Sequence, residues 1–186
     1  MKNKMQRIDS SKFSWIDIER PTAEDIAKIQ KDFRLHPLIV EEFSTPTLRP
    51  KAEEYDGALF LTIHVPLFNS DMRKTYPAEL DIVILENVLI TSRDEDIFQL
   101  TSFFKKLKAS KKKREDYMGS SPASLLRFII EQLLESCFPK LDHISKKLDR
   151  IEEEIFAGHE KEMVVGRCIG RRGVLGGRRY LQRKRS

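Results

Sequence analysis

A regular apolar stripe in the C-terminal half of the chain constrains the fold more than any other feature of the sequence. Alternating steps of four and three residues join Cys137, Leu141, Ile144, Leu148, Ile151 and Ile155. This spacing is the heptad repeat of a helix that packs against another helix. We predict one long helix that begins at Ser121–Pro122, is kinked at Pro139 and extends to residue 165. Without a covering partner, the stripe predicts self-association or partial disorder beyond Ile155.

Strand-like segments recur through the first half of the chain. The alternating stretch FSWIDI (13–18) predicts one strand, and the apolar stretches at 58–65, 80–85 and 88–92 predict three more. Glu86–Asn87 alone separates the last two, which is the length of a tight hairpin turn.

Helix-like segments lie between these strands and after them. Thr22, with Asp25 three residues later, has the capping pattern of a helix N-terminus. A second helix is predicted at 36–43 and a third at 94–110, followed by a polar linker, KKKRED (111–116). The order predicts an α/β (α+β) fold, with a mixed sheet flanked by helices and followed by a long C-terminal helix.

Charge is distributed unevenly along the chain. The net charge is +5, but residues 1–162 carry 26 Lys and Arg against 29 Asp and Glu, a net charge of −3. The last residues, 163–186, add eight basic side chains and no acidic one. The run KKKR (111–114) and this tail favour one alternative function, non-specific binding to nucleic-acid phosphates. Tyr180 is the single aromatic residue of the tail, so base stacking is weak and we expect no specific nucleic-acid partner.

Signatures of enzymes and of membrane spans are missing from the sequence. None of the four histidines, His36, His64, His143 and His159, has a partner at the spacing of an HExxH or CxxC motif. The glycine-rich tail lacks the spacing of a phosphate-binding loop. The longest stretch without Asp, Glu, Lys or Arg is 57–70, shorter than the about 20 residues of a membrane helix. We predict that the chain is not an enzyme and does not span a membrane by itself.

Acidic residues form three short clusters. They are Glu41–Glu42, Glu53–Glu54 with Asp56, and Glu152–Glu154. Carboxylate oxygens are the ligands that Mg²⁺ and Ca²⁺ prefer. A solvated helix face accounts for the same pattern, so the residues alone leave both interpretations open.

An ordered series of short motifs runs through residues 13–165. Along the chain these are Trp15, Pro21–Thr22, Phe33-x-Leu35-His36-Pro37-Leu38, Glu41–Glu42, Arg49–Pro50–Lys51, Tyr55–Asp56 and Val88–Leu89–Ile90–Thr91. The series resembles the N-terminal domain of the CorA family of magnesium and cobalt transporters. The resemblance implies divalent metal-ion transport, Mg²⁺ or Co²⁺, with this chain as the soluble, cation-sensing cytosolic portion that does not conduct alone.

The resemblance also implies an assembly and a metal site. Such proteins are homopentamers on the cytoplasmic face of the cell membrane, and a stalk helix leads from each cytosolic domain to two transmembrane helices and a Gly-Met-Asn sequence. Weak, regulatory Mg²⁺ binding between neighbouring domains holds the channel closed. One ligand falls on Glu42, where the family usually has Asp, with Glu41 as its neighbour. The partner acid belongs to the stalk helix.

The family pattern stops near Val165. We assign residues 1–118 to the CorA-like domain, 119–165 to the long helix of the family's helical region, and 166–186 to a basic, disordered tail foreign to the family. No Gly-Met-Asn sequence and no membrane segment follow, so we predict a truncated chain. Our hypothesis is a shift of reading frame near Val165–Gly166. The coding DNA tests it, because another frame downstream should then encode the stalk helix.

Overall fold

One mixed sheet and six helices make up the part of the chain that the structure, a computed structural model, describes, residues 4–156. The strands are β1 (Lys4–Asp9), β2 (Ser14–Glu19), β3 (Lys51–Tyr55), β4 (Ala58–Asn69), β5 (Lys74–Ile84) and β6 (Val88–Arg93). The helices are α1 (Ala23–Phe33), α2 (Pro37–Ser44), α3 (Phe98–Ala109), α4 (Lys111–Met118), α5 (Pro122–Glu135) and α6 (Phe138–Phe156). The sheet has the order β1-β2-β6-β5-β4-β3, and β2 runs parallel to β6. The predicted α/β fold with a mixed sheet is confirmed.

Tight turns connect β5 to β6 and β3 to β4. The Leu85 N–H donates to the Val88 carbonyl at 3.0 Å, which confirms the predicted turn at Glu86–Asn87 between β5 and β6. The turn between β3 and β4 is Asp56–Gly57, where both residues have positive φ, 45° and 81°. Asp-Gly is the sequence that favours such a turn, because a right-handed strand twist needs this left-handed backbone. The sequence prediction placed no strand at β3.

One face of the sheet packs against α1 and α2. Alternate residues of the strands, such as Ile16 and Ile18 of β2, form a cluster with Ile29 of α1 and Ile39 of α2. The Thr22 side chain accepts from the Asp25 N–H at 3.2 Å, and the Asp25 carboxylate accepts from the Thr22 N–H at 2.9 Å. This reciprocal capping box confirms the predicted start of α1.

The opposite face of β2 packs against α3. The Trp15 ring is fully buried, with its centroid 5.9 Å from that of Phe103 and 4.8 Å from that of Phe104. Because strand side chains alternate between faces, Asp17 lies on the same face as Trp15. The sheet therefore has helices on both sides in this part of the chain.

The prediction of a polar linker at KKKRED (111–116) was wrong, because this segment is the first part of α4. The Ser110 hydroxyl oxygen caps the helix by accepting from the Lys113 N–H at 3.4 Å. At the other end of α4, Met118 is fully buried and the Tyr117 ring meets the Phe128 ring edge-on at 4.8 Å. Packing of these two side chains stabilises a helix that its charged first turn would not favour.

The prediction of one continuous helix from Ser121–Pro122 was also wrong, because the helix is interrupted. The chain leaves the helical conformation at Ser136–Cys137, and α6 begins at Phe138. The Cys137 carbonyl accepts from the N–H groups of Lys140 at 3.1 Å and Leu141 at 3.0 Å, which starts a new helix. Pro139 lacks an N–H and fits the first turn of a helix, so it marks a new start rather than a kink.

The described residues belong to two compact units. The first comprises 4–65 and 78–133. The second comprises 66–77 and 134–156, and its two segments meet where Lys140 Nζ donates to the Pro66 carbonyl at 2.6 Å. Within α6, Leu141, Ile144 and Leu148 are each more than half exposed. The tail at 166–186 and the rest of the predicted helix to 165 lie outside the described residues.

Candidate divalent-cation site

Helix α2 positions the acidic pair that the sequence singled out. His36 caps the helix, because its Nδ1 accepts from the Leu38 N–H at 3.2 Å. Ile39 and Phe43 pack into the core and fix the rotation of the helix. Glu42 is left partly exposed and Glu41 exposed, so the two carboxylates lie in different environments.

The adjacent edge strand β3 presents three polar side chains on one face. Lys51, Glu53 and Tyr55 alternate with the more exposed Ala52 and Glu54. Since side chains two residues apart point to the same face of a strand, Lys51, Glu53 and Tyr55 form a row. Their backbone is held in register against β4.

The row on β3 meets Glu42 of α2 through the Lys51 ammonium. Lys51 Nζ donates a hydrogen bond to Glu42 Oε1 and lies 3.2 Å from Glu53 Oε2. The Tyr55 hydroxyl donates to the same oxygen of Glu53. The side chains of Glu42 and Lys51 are 21% and 25% exposed, so water reaches this pair only in part.

Protonation follows from these contacts. Burial alone would lower the pKa of Lys51, but hydrogen bonds to Glu42 and Glu53 raise it above the ordinary value. Hydrogen bonds from Tyr55 and Lys51 lower the pKa of Glu53. Lys51 is therefore a cation and Glu53 an anion at neutral pH, and the cluster already holds one positive charge.

Two further groups lie at the end of the row. The His36 ring stacks on the Tyr55 ring, with centroids 5.4 Å apart and an interplanar angle of 15°. His36 Nε2 lies 3.9 Å from a carboxylate oxygen of Asp56. The stacking restricts the Tyr55 ring, and through its hydroxyl the position of Glu53.

A second polar cluster lies buried between β2, β6 and α3, and the sequence prediction missed it. Arg93 donates to Asp17 at 2.8 Å, and both side chains are only 1% exposed. Thr91 donates to the other oxygen of Asp17 at 2.7 Å and accepts from Trp15 Nε1 at 3.1 Å. The sequence contained one signal for this cluster: Asp17 lies on the same face of the FSWIDI strand as Trp15. A carboxylate on a buried face needs a hydrogen-bonding or charged partner.

The arrangement of elements and motifs has known counterparts. The family model described as "CorA-like Mg²⁺ transporter protein" matches residues 10–186. The chain belongs to this family. In sequence it is 24% identical over 163 residues to the cobalt/magnesium transport protein CorA of Thermotoga maritima, a match that covers 84% of this chain and 44% of that protein.

Methanocaldococcus jannaschii supplies two further comparisons for this CorA-like chain. Its cobalt/magnesium transport protein CorA is 25% identical over 161 residues, which cover 87% of the chain and 49% of the relative. The soluble domain of CorA from this organism has the same fold, with a TM-score of 0.66, 21% identity and coverage of 88% and 63% of the two chains. The chain thus spans about half the length of these curated relatives, and the members of its family are transporters rather than enzymes.

The CorA-like chain does not complete a metal site from the described residues alone. No group of three or more His, Cys, Asp or Glu side chains between residues 4 and 156 is arranged to hold a metal ion. Among residues 4–156, the basic partner of Glu42 is Lys51. In the same range, no helix is long and apolar enough to cross a membrane.

The remaining acidic and histidine residues of interest have ordinary partners. His64 Nε2 lies 3.0 Å from the Thr47 carbonyl, an ordinary hydrogen-bond distance. On α6, Glu154 accepts from Arg150 at 2.8 Å, four residues earlier.

Proposed function

We propose that this chain is the cation-sensing cytosolic part of a transporter that moves Mg²⁺ or Co²⁺ across the cell membrane, on whose cytoplasmic face it lies. The observation that carries the proposal is the family match over residues 10–186. Two relatives are cobalt/magnesium transport proteins. In this proposal the chain senses the cation and does not conduct it alone.

Glu42 is the proposed ligand of a regulatory, weakly bound Mg²⁺, and Glu41 is its neighbour. Mg²⁺ demands six ligands in near-octahedral geometry and keeps several waters when few carboxylates are offered. One partly exposed carboxylate fits such a site only if other ligands come from elsewhere. Like subunits supply them in this proposal, because a symmetric ring repeats the same acidic surface at each interface. A homopentamer is the arrangement that the family resemblance implies.

Thermal unfolding of the full chain in a titration with Mg²⁺ or Co²⁺ tests this proposal. At tenfold excess of metal over its dissociation constant, binding adds about 1.4 kcal/mol to the free energy of unfolding. For a domain of this size the melting temperature then rises by about 3–5 °C. Glu42→Gln should lose most of that rise. Glu54→Gln, on the exposed face of β3, is the matched control and should keep it. Melting that stays constant across the titration, or an equal rise in Glu42→Gln, would contradict the proposal.

The alternative of non-specific nucleic-acid binding receives less support from the described residues. The run KKKR (111–114) lies on α4, where Lys111 Nζ is 3.8 Å from Glu115. Asp116 follows on the same helix. These carboxylates offset part of the basic charge of the run, and the family match favours the cation-sensing function.

A further inference from the structure

The Lys51 ammonium is bound to the Glu42 carboxylate, which the proposed function assigns as a metal ligand. Its Nζ is bound to Glu42 and lies 3.2 Å from Glu53. We propose that Lys51 is a tethered cation that competes with the divalent cation for Glu42, and so sets the metal concentration at which the site fills. This inference rests on the proposed role of Glu42 in metal binding.

The two cations exclude each other at this position. A lysine ammonium has three donors and no acceptor, so it contributes no ligand to a metal. Two positive charges within a few ångströms repel, and the repulsion is strong where water is partly excluded. Metal binding at Glu42 therefore requires that Lys51 leave.

The contacts around Lys51 hold its ammonium in place before any metal arrives. Lys51 opens β3, and its backbone is paired with Thr62 of β4. Its Nζ lies 5.6 Å from the centroid of the fully buried Phe60 ring, a cation–π distance. Glu53, fixed by the Tyr55 hydroxyl, supplies the second anionic contact. A lysine held on three sides competes better than a free surface lysine, because less side-chain entropy is lost when its ion pair forms.

Loss of the ammonium would leave two carboxylates facing one vacant cation position. Glu42 and Glu53 both reach the same nitrogen, so both can reach a metal at that point after a small shift. Exchange of one cation for another is then the route by which the site fills.

Calorimetric titration of the full chain with Mg²⁺ tests the competition. Lys51→Met keeps most of the length and the apolar character of the stem and removes the charge. We expect Lys51→Met to bind Mg²⁺ about fivefold more tightly than the unaltered chain, equivalent to about 1 kcal/mol. Lys105→Met, at an exposed lysine of α3, is the matched control and should bind like the unaltered chain. The double variant Lys51→Met/Glu42→Gln should lose the gain.

The outcomes separate this inference from the proposed function. If binding depends on Glu42 but Lys51→Met binds no tighter, the metal site stands and the competition is overturned. If neither the unaltered chain nor Lys51→Met binds Mg²⁺, both are overturned. A gain that persists in the double variant places the effect at another site and overturns the competition as well.

A measurement on the unaltered chain covers the case in which Lys51→Met does not fold. Amine-reactive labelling followed by mass spectrometry reports the accessibility of each lysine. Saturating Mg²⁺ should increase labelling of Lys51, which the metal displaces, and leave Lys105 unchanged. Equal labelling of Lys51 with and without metal, under conditions where Mg²⁺ raises the melting temperature, would overturn the competition.

Discussion

Replacing Arg93 with Met removes the cation from the buried cluster between β2, β6 and α3. The guanidinium donates to Asp17 at 2.8 Å, to Thr101 at 3.1 Å and to the Glu95 carbonyl at 3.1 Å. In the variant, the Asp17 carboxylate stays buried. Among the described residues, Thr91 is then the side chain that still donates a hydrogen bond to it. The fold then has to accommodate an almost uncompensated buried charge.

The size of the effect follows from burial and from the bonds lost. Removing one partner of a buried ion pair costs about 3–5 kcal/mol, and with both side chains 1% exposed no discount for solvent applies. One term acts in the opposite direction, because Arg93 Nε is buried without a hydrogen-bond partner among the described residues. Relief of that unsatisfied donor returns about 1 kcal/mol. The expected loss is about 3 kcal/mol in the free energy of unfolding.

The loss should depend on pH through Asp17. Burial raises the pKa of Asp17, and Arg93 is the main group that opposes this. In Arg93→Met the pKa rises further, so the native variant keeps a proton that the unfolded chain has released above pH 3.8. Because the native state of the variant binds more protons than the unfolded chain, its free energy of unfolding falls as pH rises. The loss of stability caused by Arg93→Met should therefore be smaller at about pH 5 than at about pH 8.

Urea denaturation followed by tryptophan fluorescence measures both quantities. Trp15 is the single tryptophan of the chain and donates to Thr91 inside the cluster, so its emission reports directly on this region. The double variant Asp17→Asn/Arg93→Met removes both charges and should recover much of the loss. A loss below about 1 kcal/mol that does not change with pH would refute the reasoning.

Other predictions concern the capping box, the exposed stripe and the tail. Thr22→Ala should lower the free energy of unfolding by about 1 kcal/mol, while Thr22→Ser keeps the capping oxygen and should cost little in the same denaturation assay. Leu148→Lys should weaken self-association in light scattering, because it puts a charge in the exposed stripe of α6; an unaltered mass would show that the stripe does not mediate it. Deleting 166–186 should abolish any salt-dependent DNA binding without changing the melting temperature, and retained binding would implicate α4 instead.

Local patterns predicted the elements whose stability is local. The capping box at Thr22 and Asp25 and the hairpin at Glu86–Asn87 were predicted because a few neighbouring residues define them. β3 was missed because KAEEY is short, charged and half exposed, as edge strands often are. The start of α6 was missed because apolar residues continue at helical spacing across the break, at Leu133, Cys137 and Leu141.

The candidate site depends on contacts between elements, which the sequence does not display. Glu42 was predicted from its acidic pair, but its partner Lys51 lies on another element and was known only as part of a motif. Asp17 and Arg93 are 76 residues apart and meet because β2 and β6 run parallel with Glu19 opposite Arg93. Pairing between distant strands depends on the whole sheet, so neither periodicity nor spacing reveals it.

Sedimentation of the full chain with and without millimolar Mg²⁺ tests most directly the claim that Glu42 belongs to a metal site shared between like subunits. Mg²⁺ should increase the mass of the assembly, and Glu42→Gln should sediment as though the metal were absent. Glu54→Gln should respond like the unaltered chain. A mass that Mg²⁺ leaves unchanged, or one that it increases equally in Glu42→Gln, would contradict the claim.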